Sequence, residues 1–348
     1  MRELMQPGEM MATGIGSLPH RQAEDGVQAV VSAFPDLPYW PQLPRRAPEE
    51  NMYRQFVTGM PGLAERDGSP AVPDWDAFWS ELGDLLGRYT AGDDSPGAIP
   101  RERAAGLWAL ADRAQEVRHS AAVKGQVTGP VSLGLSLLGP DGRPVLYDAR
   151  VMEGLLSLLE LKVRWQERFL REIHPVTLIF LDEPYLGTVG SAFYAYDAGQ
   201  ARDWLQKVLG GARGLTGIHC CANTDWGMLL ALDIDVISFD AYSYFESFAL
   251  YVPALRAFLE RGGRIAWGIV PADGEAIRRE SAASLVKRLE EEIAALVAAG
   301  LPRERLLHQA LVTPSCGLGS LTVEDAEEVL RVCREVSRSA RNRFALHG

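Results

Sequence analysis

The chain has 348 residues, 47% hydrophobic and 23% charged, so it can bury a large core and is neither a disordered chain nor a collagen. Its 35 Lys and Arg against 46 Asp and Glu give a net charge of -11 and a pI near 5.2, which argues against a sequence-independent grip on nucleic acid or anionic membrane. No apolar run approaches the roughly 18 residues that span a bilayer, and Glu3, Gln6, Pro7, Gly8 and Glu9 stand where a secretory signal would be apolar, so a cytoplasmic location is expected.

Short apolar, β-branched runs alternate with long amphipathic stretches, the pattern of repeated βα units and a parallel sheet. In chain order the candidate strands are Ala12 to Gly16, Leu37 to Gln42, Ala121 to Val127, Thr177 to Leu181, Leu215 to Cys220, Val236 to Phe239, Arg264 to Ile269 and Leu306 to Val312. The last segment, Val323 to Ser339, places Val323, Ala326, Val329, Leu330, Cys333 and Val336 on one face at helical spacing. Eight strands with helices between them predict a single-domain (β/α)8 TIM barrel over residues 1–348. An open doubly wound sheet is the main rival, but the Gly-rich dinucleotide fingerprint is missing after the first strand. The second strand carries Pro38, Pro41 and Pro44 near it, awkward in a central ladder. Residues 45–120 are far longer than a βα connection of about 2–6 residues and are expected to fold over the barrel mouth as a cap. Trp75, Trp79 and Tyr89 in that insertion read as packing residues.

In a parallel barrel the reactive groups come from the C-terminal ends of the strands, where the loops converge. There the chain places Gly14-Ile15-Gly16-Ser17, Gln126-Val127-Thr128-Gly129-Pro130, Leu181-Asp182-Glu183-Pro184, His219-Cys220-Cys221, Phe239-Asp240 and Thr313-Pro314-Ser315-Cys316-Gly317. Strand alternation sends His219 and Cys221 to one face and Cys220 to the other. With Cys316 they make a His/Cys/Cys set of the kind Zn²⁺ takes when one position stays open for substrate, and Asp240 is a candidate fourth ligand. Each residue also has a plainer reading. Buried cysteines act as small hydrophobes, a lone histidine satisfies a hydrogen bond, Ser17 and Asp182 can serve as turn or cap residues, and Asp240 can be a solvated loop carboxylate. Four cysteines in so long a chain are expected as thiols, with Cys220 and Cys333 in the core.

The motifs Ala12-Thr13-Gly14-Ile15-Gly16-Ser17-Leu18-Pro19, Val127-Thr128-Gly129-Pro130, Leu181-Asp182-Glu183-Pro184, Ile218-His219-Cys220-Cys221 and Thr313-Pro314-Ser315-Cys316-Gly317-Leu318 follow one another as in the catalytic barrel of cobalamin-independent methionine synthase, which the chain resembles from about residue 12 to 320. That family is similar in turn to the uroporphyrinogen decarboxylases. The resemblance implies a Zn²⁺ site of His219, Cys221 and Cys316, with Asp240 where the synthase has a glutamate. It also implies a substrate site at Ser17, Asp182 and Thr128, and Asp182 and Asp240 as catalytic carboxylates. The chain departs from the family in three places: it has no second barrel, no clear alignment over Glu50 to Phe56, and no histidine in Gly268 to Asp273.

The expected activity is zinc-dependent methylation of a small, homocysteine-like thiol, with a methyl-folate or a methyl-corrinoid protein as donor and neither nucleic acid nor membrane as partner. The alternatives are a metal-free decarboxylase of the uroporphyrinogen type and a non-catalytic corrinoid or methyl-carrier partner.

Overall fold

The computed structural model describes residues 7–66, 68–188 and 196–346. Its strands are β1 (Met11–Ala12), β2 (Ala64–Arg66), β3 (Ser69–Ala71), β4 (Val123–Thr128), β5 (Thr177–Asp182), β6 (Leu215–Cys220), β7 (Val236–Phe239), β8 (Arg264–Val270) and β9 (Ala310–Pro314). Seven of them form one parallel sheet in the order β1-β9-β8-β7-β6-β5-β4, while β2 and β3 make a separate antiparallel hairpin. Strands β4, β5 and β8 are buried along their whole length, as expected of parallel strands covered on both faces.

The expected second strand does not form a ladder. Residues 36–42 touch both edges of the sheet through isolated parallel bridges, Ser17 to Gln42 on the β1 side and Tyr39 to Lys124 on the β4 side. Backbone bonds Gln42 N to Gly16 O (3.0 Å), Leu18 N to Gln42 O (2.8 Å), Lys124 N to Pro38 O (2.8 Å) and Ala121 N to Asp36 O (2.7 Å) hold it there. Pro38 and Pro41 have no N–H to donate, which is why the bridges stay isolated. One short segment can reach both edges only if the sheet is curled. Gln166, on the helix Ala149–Ile173, reinforces the junction: its Oε1 accepts from Trp40 Nε1 at 3.0 Å and its Nε2 donates to Gln126 O at 3.0 Å.

Inside the curl, Leu37, Ala122, Leu178, Phe180, Val236, Ala266 and Leu311 pack as a separate apolar cluster at the N-terminal end of the strands. Helices cover the outer face. The C-terminal helix runs Val323–Phe344, five residues past the expected end; Thr322 Oγ1 accepts from Asp325 N at 3.1 Å at its start, and Arg341 and Arg343 sit in its last turn. The last expected strand also shifts, because Leu306 to His308 belong to the short helix Arg303–His308 and pairing begins only at Ala310.

The segment 45–120 divides. Glu50 to Met52 reach the C-terminal rim of the sheet, whereas Trp75–Thr90 and Ser95–Gly97 pack along the outside of Ala149–Ile173. Trp75 stacks on Trp79, Phe78 meets both edge-on, and Tyr89 donates to Glu160 at 2.6 Å, so these aromatics are packing groups. Among the described residues no helix is long and apolar enough to cross a membrane.

Candidate metal centre

β6 ends in His219-Cys220, and the His219 side chain turns into the curl because its neighbours Ile218 and Cys220 belong to the outer core. Its Nδ1 lies 3.0 Å from Ser238 Oγ, and its Nε2 is buried without a hydrogen-bond partner. Cys221 follows immediately, and Cys316 comes from the loop after β9. The donor atoms of His219, Cys221 and Cys316 all lie within 4.8 Å of one another, the only such group among the described residues. Both cysteines are half-buried, while Cys220 and Cys333 are buried in the core.

A hydrogen bond from the Cys221 thiol, helped by His219 and the Gly317 N–H, holds Cys316 well below the ordinary thiol range against the effect of burial. That same bond, with burial, pushes the Cys221 thiol up. A buried imidazole nitrogen without a hydrogen-bond partner beside two sulfurs is the donor set that fits a borderline-soft divalent ion such as Zn²⁺.

The group faces a cavity of about 240 Å³ lined by Ile15, Ser17, Glu50, Asn51, Met52 and Asp182 together with the three donors. Ser17 Oγ accepts from Gly319 N at 3.1 Å and Ser17 O from Leu318 N at 2.9 Å, which locks the turn after β1 to the loop that carries Cys316. Asp182 is buried, with Oδ1 unpartnered. Burial pushes its carboxyl up, opposed by the nearby Lys124 and His219.

Two expected site residues are occupied otherwise. Thr128 Oγ1 donates to Met52 O at 3.0 Å, so it fastens the cavity wall and is not part of the lining. Asp240 caps the helix Ala241–Phe248, its Oδ1 accepting from Ser243 N at 2.8 Å, and it does not join the His/Cys/Cys group.

Two others escaped the sequence reading. Glu50, fully buried and paired with Arg46 at 2.7 Å, lines the cavity from the stretch that had no clear alignment. Glu183 accepts from Val131 N (2.9 Å), Ser132 N (2.9 Å) and Ser132 Oγ (2.6 Å), joining the Asp-Glu-Pro loop to the start of the helix Pro130–Ser136. The pairing of the Thr-Gly-Pro and Asp-Glu-Pro motifs was the available signal, since adjacent parallel strands bring those loops together.

No protein-family model matches the sequence, and no curated protein matches it. Solved structures do, and the fold they share with this chain is that of B12-independent methionine synthases and of a methyltransferase. A B12-independent methionine synthase from a Shewanella species, solved in complex with selenomethionine, matches with TM-score 0.58 at 12% identity, covering 97% of this chain and 99% of that one. A putative B12-independent methionine synthase from Listeria monocytogenes matches with TM-score 0.53 at 13% identity over 91% and 85% of the two chains. A methyltransferase from Methanosarcina mazei matches with TM-score 0.52 at 12% identity over 97% and 94%. At these identities the likeness is one of fold.

Proposed function

We propose that the chain is a zinc-dependent methyltransferase on a (β/α)8 barrel that methylates a small amino-acid thiol of the homocysteine type. The observation that carries this reading is His219 Nε2, buried without a partner, beside two sulfurs at the wall of a cavity. An unsatisfied buried nitrogen costs about 1–3 kcal/mol, and a ligated ion removes that cost.

His219, Cys221 and Cys316 would hold the metal, with Ser238 Oγ accepting from the Nδ1–H tautomer so that Nε2 presents its lone pair. A Zn²⁺ ion held there would supply positive charge that favours the thiolate of a substrate thiol, whose free pKa of about 8.5 leaves little thiolate at neutral pH. Asp182, with Oδ1 free, takes the substrate ammonium. Ser17 and the loop Gly317 to Ser320 meet its carboxylate, so the thiol is held at the donor group while a methyl-folate or a methyl-corrinoid protein presents the methyl group. Asp240 has one oxygen, Oδ1, committed to Ser243 N, and could join the metal only through Oδ2. Decarboxylation through arginines is disfavoured, because none lines the cavity among the described residues.

Metal analysis with X-ray absorption on the purified protein, followed by methyl transfer to homocysteine from methylcobalamin or methyltetrahydrofolate, tests the reading. About one zinc per chain with two sulfur neighbours and a methylated thiol product are expected. A protein that binds no zinc when loaded and transfers no methyl group overturns it.

A further inference from the structure

Lys124 lies on β4 with its side chain inside the curl, fully buried. Its neighbour Gly125 faces outward, where an added Cβ would strike Gln166 Oε1 at 2.0 Å, so alternation turns Lys124 and Gln126 inward. The amine donates to Ile15 O at 2.5 Å and lies 3.5 Å from Gln126 Oε1. It also stands over the Phe180 ring at 4.6 Å and the Tyr39 ring at 5.5 Å. Burying an amine is costly unless its donors are used, so this one has a structural task. It does not line the cavity, and beyond favouring the charged form of Asp182 it has no part in the chemistry above.

The amine is aimed at the turn that carries Ser17. Gly16 and Leu18 are bonded sideways to Gln42, and the Tyr39 ring fills the space beside Gly14, where a Cβ would come within 2.3 Å. These contacts hold the flank of the turn. The Ile15 carbonyl points the other way, into the barrel, and Lys124 holds it from beneath. Ile15 and Ser17 both line the cavity, so the height of this carbonyl sets the height of the Ser17 hydroxyl.

We propose that Lys124 is the positioning residue of the substrate-recognition turn, its amine tying Ile15 O to the barrel interior and so placing Ser17 Oγ against the carboxylate of an amino-acid thiol. The inference rests on the function proposed above for its substrate, but its structural half does not.

The test compares zinc-loaded full-length protein with Lys124→Met. A rise of about tenfold in KM for homocysteine is expected, with kcat within about threefold and zinc content unchanged. The KM for 2-mercaptoethanol, which has neither carboxylate nor ammonium, stays put. Ser17→Ala reproduces the rise, and with 3-mercaptopropionate, which has a carboxylate but no ammonium for Asp182 to hold, the double variant is no worse than Ser17→Ala alone, because Lys124 acts through Ser17. Equal loss for both thiols, or independent effects that multiply, overturns the proposal. Lys124→Gln, which keeps an N–H on a shorter arm, gives a smaller rise in the same direction and serves if the methionine variant does not fold.

Amide hydrogen exchange over residues 12–19 separates this proposal from the functional one. Exchange about tenfold faster in Lys124→Met, confined to that segment, is expected whether or not the protein transfers methyl groups. Unchanged exchange overturns the role of Lys124. Faster exchange in a protein that methylates no thiol overturns the functional reading alone.

Discussion

His219 and Ser238 are register partners across β6 and β7, and the serine hydroxyl lies 3.0 Å from the ring Nδ1. The pairing of two strands therefore sets the orientation of the imidazole. Ser238→Ala removes that hold without opening the cavity, and zinc affinity should fall by about ten- to hundredfold in competition with a chromophoric chelator. An unchanged affinity would mean that packing alone orients the ring.

The cysteine pair gives a second prediction. Zinc should raise the Tm of the metal-free protein, since a ligand that binds only the folded chain stabilises it. Cys221→Ser and Cys316→Ser should each abolish most of that rise and keep the native circular dichroism, because both side chains lie at the cavity wall. A full thermal shift in either variant would remove that cysteine from the ligand set.

Glu183 ties two motifs together through three hydrogen bonds, and Gly129 allows the approach, since a Cβ there would meet Glu183 Oε1 at 2.2 Å. Glu183→Ala leaves three buried donors without partners and should cost about 2–4 kcal/mol. Urea unfolding reads this as a lower midpoint at unchanged slope.

Lys162 is fully buried on the helix Ala149–Ile173 with no partner for its Nζ. Burial, with Arg103 nearby, pushes its pKa from 10.5 down to about 7. Between those values the unfolded chain holds a proton that the folded chain has released, so this group makes stability rise with pH from about 7 to 10.5. Lys162→Met should remove that slope and raise stability at pH 7 by about 1–3 kcal/mol. A lower Tm for the variant across this range would show that the amine has a favourable role.

Glu292 has the opposite sign. Burial raises its pKa from 4.5 to about 7 against the pull of Arg288, and its Oε2 has no partner. The folded chain then holds a proton the unfolded chain has lost, so this group's contribution is full below pH 4.5 and disappears as pH rises through about 7. Tm measured from pH 4.5 to 8 should decline less steeply in Glu292→Gln than in the parent protein. Parallel curves would place the titration elsewhere.

Strands β6 and β7 are legible to the residue because their apolar runs are bounded by Gly214 and Asp235 before and by Cys221 and Asp240 after. The His/Cys/Cys group was equally legible, since period-two alternation fixes which of Cys220 and Cys221 faces inward. What escaped depends on long-range pairing. The prolines around Tyr39 announce a defective strand, but only the two sheet edges show that the segment still bridges them. The twin leucines Leu306 and Leu307 bury equally well from a helix or a strand, and the backbone chose a helical turn. Thr128 and Asp240 have the right chemistry at the rim, yet nearer groups, the Met52 carbonyl and the Ser243 amide, claim their hydrogen-bonding atoms. Glu50 comes to the cavity from a stretch without periodicity, so no local pattern marked it.

The proline-interrupted segment that joins the sheet edges has a mechanical consequence. Regular ladders elsewhere spread load along many rungs, but here the two margins are stitched at a few points, with the Gly14 to Ser17 turn on one side and Lys124 on the other. Any loosening of the curled sheet should start along that seam, and it would move the cavity wall formed by the Ser17 turn, together with the Cys316 loop bonded to it, before it disturbs His219 on β6.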